Sequence, residues 1–261
     1  MQFYIKKGHN KMQEYIAIDE ISKEILNSAK LLQTVEINAL IIGNKGSGKK
    51  SLAKFILPNN EIFEAKTLQK EISNNTIVVE NKSIIINKIE EITNIDAFIK
   101  WIKENDLRLI ATSNTENLNQ KIKDIFSINI EIPNLIKRPE DTKALIKKFS
   151  KEASLILDMP LIDESKIGKN LLHNAYSLRK TIFFSYLFET LGENEILMFL
   201  EKYISKNLNG ENSYKDLSYI FEVPLLKASL HKYKSQVQVS KHLGINRITL
   251  RKKLEIYKEL L

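Results

Sequence analysis

A glycine-rich loop between an apolar run and a helical segment constrains this chain more than any other feature. Gly43–Lys49 reads G-N-K-G-S-G-K and holds three of the eight glycines in the 261-residue chain. The run before it predicts a buried strand over Glu36–Ile42, and the apolar spacing after it predicts a helix over Lys49–Leu57. A strand, this loop and a helix in that order form a phosphate-binding loop, where backbone amides and the helix N-terminus hold phosphate oxygens.

The predicted phosphate contacts extend from the first glycine of the loop into the helix. A Ser or Thr directly after the lysine usually binds magnesium, but that position is Lys50, and Ser51 comes one residue later. The residues predicted to contact the nucleotide in this segment are Gly43, Gly46, Ser47, Gly48, Lys49, Lys50 and Ser51.

The strand expected to carry catalytic carboxylates ends without them. Hydrolysis needs a carboxylate to organise the metal and another group to orient water. The predicted strand Ser83–Ile86 runs into Asn87 and Lys88, an amide and an ammonium, and Glu90 and Glu91 follow out of register. We therefore expect no metal and no enzymatic activity. ATP is then a structural ligand, and an empty pocket is the alternative.

In the rest of the chain, predicted strands alternate with predicted helices up to Pro133, and only helices are predicted after it. Strands alternating with helices predict a parallel sheet in an α/β domain, and after Pro133 the strand signals stop. The other predicted strands are Thr76–Glu80, Leu107–Thr112 and Ile128–Ile132, and the predicted helices are Glu14–Leu32, Ile95–Lys103, Pro139–Leu157, Asp163–Tyr176, Ser177–Leu191 and Glu193–Leu208.

Composition excludes several classes of protein. The absence of cysteine excludes a disulfide framework, a thiolate zinc site and a cysteine nucleophile. No apolar run approaches the roughly 18 residues that a membrane span needs, so the sequence predicts a cytoplasmic protein without a membrane partner. The net charge of +8 is uneven: residues 224–261 hold nine Lys or Arg and two Glu, and the remaining residues hold 31 basic and 30 acidic side chains. This basic segment predicts a polyanion partner, namely nucleic acid.

The basic segment has the pattern of a helix-turn-helix. Helices are predicted from Pro224 to about Tyr233, over Gln236–Leu243 and over Arg247–Tyr257. Gly244 permits the positive φ of the turn, and Asn246 can cap the third helix.

The third helix has one apolar and one polar face. Ile248, Leu250 and Leu254 are predicted to face the core. The residues predicted to bind DNA are Asn246, Arg247, Thr249, Arg251, Lys252 and Lys253. A lone helix-turn-helix usually needs two half-sites, so we expect a homodimer built partly through Tyr214–Leu230. Packing of those apolar residues against the helical segment before them is the alternative.

Arginine is rare in this lysine-rich chain. The five arginines, among 40 basic residues, are Arg108, Arg138, Arg179, Arg247 and Arg251. We hypothesise that arginine persists where a planar guanidinium with two contact points cannot be replaced by lysine.

The order of these motifs resembles the AAA+ module of NtrC-type transcription activators followed by their Fis-type DNA-binding domain. Residues 108–114, R-L-I-A-T-S-N, resemble the first sensor strand of that family, which implies that Asn114 faces the γ-phosphate. Residues 132–141 are similar to the entry into the family's helical lid. Arg179 stands where the second sensor arginine does. Residues 244–254 closely resemble the recognition turn and helix of the Fis protein.

The chain differs from the family in two segments, the projecting loop and the segment of the trans-acting arginines. Gly43 and Asn87 are only 44 positions apart, which is too few for the family's projecting loop, and its string G-A-F-T-G-A is absent. Asn119–Phe126, where the family places its trans-acting arginines, contains no arginine. The activity on the nitrogen-type sigma factor that the resemblance implies is therefore not expected.

These observations predict an AAA+-like P-loop α/β fold with a helical lid and a small all-α helix-turn-helix domain. The predicted parts are residues 1–135 for the α/β subdomain, 136–208 for the lid, 209–223 for a linker and 224–261 for the DNA-binding domain. We expect a sequence-specific regulator with a hydrolysis-deficient scaffold, which binds double-stranded DNA as a homodimer or higher oligomer. RNA polymerase is a candidate partner. The alternatives are an active ATPase that remodels a partner on DNA, and a Fis-like nucleoid architectural protein.

Overall fold

The chain folds into two compact units. A computed structural model describes residues 15–261 except 78 and 80, and contacts between Cα atoms divide it after Thr190. The helix Glu193–Asn207, which the sequence analysis assigned to the lid, lies in the second unit. The four domain ranges stay a prediction, although most of the predicted linker is helical, since residues 213–217 and 219–223 lie in helices.

The first unit contains a parallel five-stranded sheet, which confirms the predicted fold class. The strand order is β2-β3-β4-β1-β5, and every neighbouring pair is parallel. The strands are β1 Ala39–Ile42, β2 Ile62–Glu64, β3 Ser83–Asn87, β4 Arg108–Ser113 and β5 Ile128–Glu131. In β3, Ile84 and Ile86 enter the core on one face of the sheet and Ile85 enters the core on the other, because side chains alternate along a strand.

Helices cover both faces of this sheet and form the lid. Leu68 and Phe98, from α3 and α4, join the core on one face, whereas Leu32 and Leu52, from α1 and α2, join the core on the other. The helices are α1 Glu20–Thr34, α2 Lys49–Ile56, α3 Ala65–Ser73, α4 Ile95–Glu104, α5 Gln120–Lys123, α6 Pro139–Ile156 and α7 Asn174–Phe188.

Two predictions for this unit need correction. β2 and α3 were not predicted. A strand was predicted at Thr76–Glu80; Val78 and Glu80 lie outside the described residues, and Thr76, Ile77 and Val79 form no strand.

The helix predicted over Asp163–Tyr176 is also wrong. A short 3₁₀ turn at Glu164–Lys166 is followed by irregular chain, and α7 begins only at Asn174. The Asp163 side chain accepts a hydrogen bond from the Ser165 amide (2.8 Å), and Asn174 has φ +50°. Local side-chain bonding and a left-handed residue therefore replace the helix that apolar spacing predicted.

The second unit is helical. It contains α8 Glu193–Asn207, α9 Ser213–Leu217, α10 Tyr219–Tyr233, α11 Gln236–Leu243 and α12 Arg247–Ile256. Leu226, Val239 and Leu250 form its buried core, one from each of the last three helices. Pro224 was predicted in the first turn of its helix but lies inside α10, which begins five residues earlier. Among the described helices of the whole chain, none has the length and apolar character to cross a membrane.

Candidate nucleotide pocket and nucleic-acid interface

The glycine-rich loop connects the carboxyl end of β1 to the first turn of α2, as predicted. Gly46 and Gly48 have φ angles of +78° and +110°, which residues other than glycine rarely adopt. A Cβ on Gly46 would lie 2.2 Å from the His173 carbonyl oxygen, and one on Gly43 would lie 2.7 Å from that of Ile132. The glycines therefore permit both the turn and the close packing of the loop against neighbouring backbone.

A cavity of about 930 Å³ opens beside this loop within the first unit. Eight of the nine residues predicted to bind nucleotide line it, and Gly43 does not. Seven cationic side chains and three carboxylates line the cavity, so its charge suits a polyphosphate. The cations are Lys45, Lys49, Lys50, Lys88, Arg138, Lys148 and Arg179, and the carboxylates are Glu64, Asp141 and Glu152.

Lys49 and Asn114 meet in the cavity beside the glycine-rich loop. The Lys49 ammonium donates to the Asn44 carbonyl oxygen (2.9 Å) and to Asn114 Oδ1 (3.0 Å). Lys49 is 7% exposed, and burial lowers its pKa to about 8, with the nearby Glu90 opposing this shift and Lys50 adding to it. The sheet therefore brings the loop lysine and the predicted sensor amide together.

Glu90 reaches the same point from the turn after β3. Its Oε1 accepts hydrogen bonds from the Asn114 amide N–H (3.1 Å) and from Asn114 Nδ2 (2.7 Å). Lys88 has φ +59°, and its ammonium lies 3.4 Å from Glu91 Oε1. The expectation that Glu90 is out of register with the site is wrong, because the left-handed Lys88 turns the chain back toward β4.

Glu64 is a site residue that the sequence analysis missed. It is the last residue of β2 and the register partner of Asn87 in β3. Its Oε1 accepts from Lys50 Nζ (2.7 Å) and its Oε2 from Asn87 Nδ2 (2.6 Å). Burial raises the pKa of Glu64, but the hydrogen bonds from Lys50 and Asn87 outweigh it, and the pKa lies below its usual range. A carboxylate therefore stands at the edge of the sheet that faces the cavity.

Asn87 is held rigidly between two neighbours. It is 4% exposed, its Nδ2 donates to Glu64, and its Oδ1 accepts from Thr112 Oγ1 of β4 (2.8 Å). Three adjacent strands are thus connected by side chains at their carboxyl ends.

The predicted second sensor arginine lies in the lid wall of the cavity. Arg179 in α7 makes a two-point ion pair with Glu152 in α6, at 2.7 and 3.0 Å, and its guanidinium lies 4.5 Å from the centre of the Phe183 ring. A nucleotide contact from Arg179 would therefore compete with Glu152.

Arg138 connects the loop to the lid. It is 2% exposed, donates to the Ser47 carbonyl oxygen (2.8 Å) and pairs with the buried Asp141 carboxylate (3.3 Å). Ser47 Oγ and Tyr15 Oη, in the cavity wall, are buried without a hydrogen-bond partner among the described residues. Such orphaned polar atoms are suited to a bound ligand or water.

In the second unit, α10, α11 and α12 cover the segment for which a helix-turn-helix was predicted. Gly244 has φ +64°, and Asn246 Oδ1 accepts from the Thr249 amide (2.7 Å), so turn and cap form as predicted. Leu250 is buried, but Ile248 is 69% exposed, and its predicted core position is wrong because the helix turns it outward.

The basic residues of α12 divide into exposed and paired ones. Arg247, Arg251 and Lys252 are exposed, and Thr249 is half-buried. Lys253 donates to Glu222 of α10 (2.5 Å), so its charge is already paired within the domain. The free cations therefore lie on the outer face of α12.

The first unit has the features of one fold class. A parallel sheet with a phosphate-binding loop after the first strand, an asparagine after β4 and a helical lid define an AAA+ P-loop α/β domain. Residues 16–130 match the family described as Sigma-54 interaction domain. A comparison with curated protein sequences finds no match.

Solved structures of NtrX from Brucella abortus have a similar fold. The structure with ADP is 13% identical, covers 93% of this chain and 68% of its own, and has a TM-score of 0.58. The structure with ATP is 14% identical, covers 92% and 68%, and also has a TM-score of 0.58. At these identities the similarity shows the fold.

These findings correct one prediction. The family match and the shared fold point to domains that hydrolyse nucleotides, so the prediction that this chain is not an enzyme is wrong. That prediction considered only the residues after β3. The neighbouring β2 ends with Glu64 in the same cavity, so the site contains a carboxylate.

Proposed function

We propose that this chain is a cytoplasmic, sequence-specific DNA-binding transcriptional regulator whose AAA+ domain binds ATP. The observation that carries this proposal is the outer face of α12, where Arg247, Arg251 and Lys252 are exposed above a capped helix-turn-helix. A helix of this kind enters the major groove, and its cations contact phosphates and base edges. Lys253 is outside the proposed contact set because Glu222 pairs with it.

Arg247 and Arg251 are the proposed base-reading residues. They are four positions apart and therefore share one side of α12. A guanidinium fork suits a two-point contact to guanine, whereas Lys252 suits a backbone phosphate. Asn246 and Thr249 hold the first turn of the helix and bring backbone amides toward the DNA.

A homodimer supplies the second half-site. Helix α8 has no buried residue in the described structure, although all five of its side chains from Ile196 to Leu200 are apolar. Leu197, Met198 and Phe199 are each more than half exposed, and Phe221 of α10 is 70% exposed. We propose that a second copy of this chain covers these residues, since monomers rarely expose contiguous apolar patches.

The nucleotide is proposed to occupy the cavity of the first unit. The loop from Gly43 to Ser51 would surround the phosphates, with Asn114 at their end and Arg179 in the lid. A rise in melting temperature with ATP should disappear in Lys49→Ala and persist in Lys66→Ala, which removes an exposed lysine outside the cavity. A rise that persists in Lys49→Ala would contradict this site.

The polymerase machinery is the proposed protein partner, because residues 16–130 match a Sigma-54 interaction domain. Genome-wide mapping of binding sites tests the regulatory role. A few sharp peaks are expected, since each mismatched base pair in a specific site costs about 1–3 kcal/mol. Broad coverage of the chromosome would instead indicate an architectural protein.

A further inference from the structure

The cavity contains three carboxylates, and one of them is placed for the phosphates. Asp141 pairs with buried Arg138, and Glu152 pairs with Arg179 in the lid. Glu64 instead stands on the sheet, 2.7 Å from the ammonium of Lys50, which follows the loop lysine directly. Of the three, Glu64 is the carboxylate beside the first turn of α2, the part of such a loop where phosphate oxygens bind. Glu90, near Lys49, does not line the cavity, and its Oε1 accepts two hydrogen bonds from Asn114.

Glu64 lies directly beside the amide side chain that ends β3. Glu64 and Asn87 are register partners on neighbouring parallel strands, and Asn87 Nδ2 lies 2.6 Å from Glu64 Oε2. The carboxylate is therefore one strand away from the end of β3 and touches the side chain that stands there. The site has its negative charge on β2 and its neutral amide on β3.

We propose that Glu64 is the carboxylate that holds magnesium when ATP is bound. This inference rests on the proposed nucleotide site. Magnesium bound with a nucleotide usually keeps several waters and uses one or two carboxylates in addition to the phosphates. Within the described part of the chain no group of three acidic or histidine side chains gathers, so in this arrangement the phosphates and water would supply the other ligands. The cation would neutralise phosphate charge.

Lys50 has a defined part in this arrangement. Its side chain is 53% exposed, and it pairs with Glu64, which is 44% exposed. The phosphates of ATP draw the ammonium away from Glu64, because they carry more negative charge than one carboxylate. Glu64 then has a free oxygen for the cation. The competing arrangement, in which the Lys50 ammonium itself replaces the cation, predicts ATP binding that does not depend on magnesium.

The test measures ATP affinity of the full chain by calorimetry, with magnesium and with EDTA. Wild type should bind ATP at least about tenfold more tightly with magnesium, equivalent to about 1.4 kcal/mol. Glu64→Gln should lose this enhancement and bind ATP in EDTA at least as well as wild type. Glu61→Gln, an exposed acidic residue outside the cavity, should behave as wild type.

An exchange of charge provides a rescue. Because Glu64→Gln and Asn87→Asp each keep the size of the side chain, the double variant moves the carboxylate from β2 to β3. If the site needs one carboxylate at the ends of β2 and β3, this variant should again bind ATP more tightly with magnesium than with EDTA. Equal ATP affinity with magnesium and EDTA in wild type, or an undiminished effect in Glu64→Gln, would overturn the role of Glu64. Absence of ATP binding under both conditions would instead overturn the nucleotide site itself.

Discussion

Lys49 is a cation held out of water among other cations. Burial lowers its pKa to about 8, Lys50 adds to the shift, and Glu90 opposes it. Nucleotide phosphates bind the charged form of the lysine, so ATP should raise this pKa when it binds. The protonation of one side chain therefore controls the affinity of the pocket.

ATP affinity should fall as the pH rises through 8. Above this pH the free protein increasingly carries neutral Lys49, and the competent fraction decreases about tenfold between pH 7 and pH 9. Calorimetric titrations at pH 7, 8 and 9 measure the change. Lys49→Arg, which stays charged throughout, should bind with little pH dependence. An affinity of wild type that is constant over this range would contradict the proposed role of Lys49.

The arginine hypothesis could be made from the sequence, and the structure agrees with it for three residues. Arg108 donates to the carbonyl oxygens of Leu32 and Ile37, Arg138 contacts Ser47 and Asp141, and Arg179 makes two contacts with Glu152. The ammonium of lysine lacks the planar fork that makes such pairs of contacts. Apart from Asp141, which is three residues after Arg138, the partners themselves were not predictable, because each lies far away in the sequence.

At the scale of the elements, α6 is attached to the segment before α1 through Asp141. This carboxylate is 0% exposed and accepts hydrogen bonds from the Ile18 amide (2.6 Å) and from Ser22 Oγ (2.5 Å), in addition to its ion pair with Arg138. Removing it leaves a buried guanidinium uncompensated. The lid, the loop and the N-terminal segment of the first unit therefore depend on one side chain.

Asp141→Ala should lower the free energy of unfolding by about 3–5 kcal/mol, because it breaks a buried ion pair. Urea denaturation followed by circular dichroism measures this value. Glu140→Ala is a matched comparison, since Glu140 is the adjacent residue and its ion pair with Lys143 is exposed, and it should cost less than about 1 kcal/mol. Equal effects of the two variants would show that the buried pair is not the stabilising contact.

The sheet was predictable where its strands are long and apolar. β3 and β4 have runs of buried isoleucine, leucine and alanine. The predicted range of β3 differs from the observed one by one residue at one end, and that of β4 by one residue at each end. β2 has three residues, all half-buried, and three residues give no periodicity. Missing β2 also meant missing Glu64, because only the parallel register places Glu64 beside Asn87.

At the scale of the whole molecule, the exposed apolar face of α8 predicts self-association. Phe199→Glu should convert the dimer to a monomer at micromolar concentration, because it places a charge inside the proposed interface. Light scattering during size-exclusion chromatography measures the mass. Leu155→Glu changes an 83% exposed leucine of α6 and should leave the dimer intact. A wild-type protein that is already monomeric would contradict the proposed dimer.

The segment before the helix-turn-helix is the predicted site of proteolysis. The run Asn209–Ser213 includes Gly210 with φ +90° and begins after α8 ends. Brief trypsin digestion followed by mass spectrometry should detect early cleavage at Lys206 or Lys215, the lysines that flank this run. Early cleavage confined to other sites would count against a linker at 209–223.

Fluorescence anisotropy of the full chain with a selected DNA site and with random DNA measures whether the outer face of α12 binds and reads DNA. Arg251→Ala should reduce the binding free energy for the selected site by about 1–3 kcal/mol. The difference in affinity between the selected site and random DNA should become smaller. Lys252→Ala should weaken binding to both DNAs alike. The slope of the logarithm of the binding constant against the logarithm of the salt concentration should decrease in magnitude by about one per protomer. Unchanged affinity of a folded Arg251→Ala variant for both DNAs would contradict the assignment of α12 as the recognition helix.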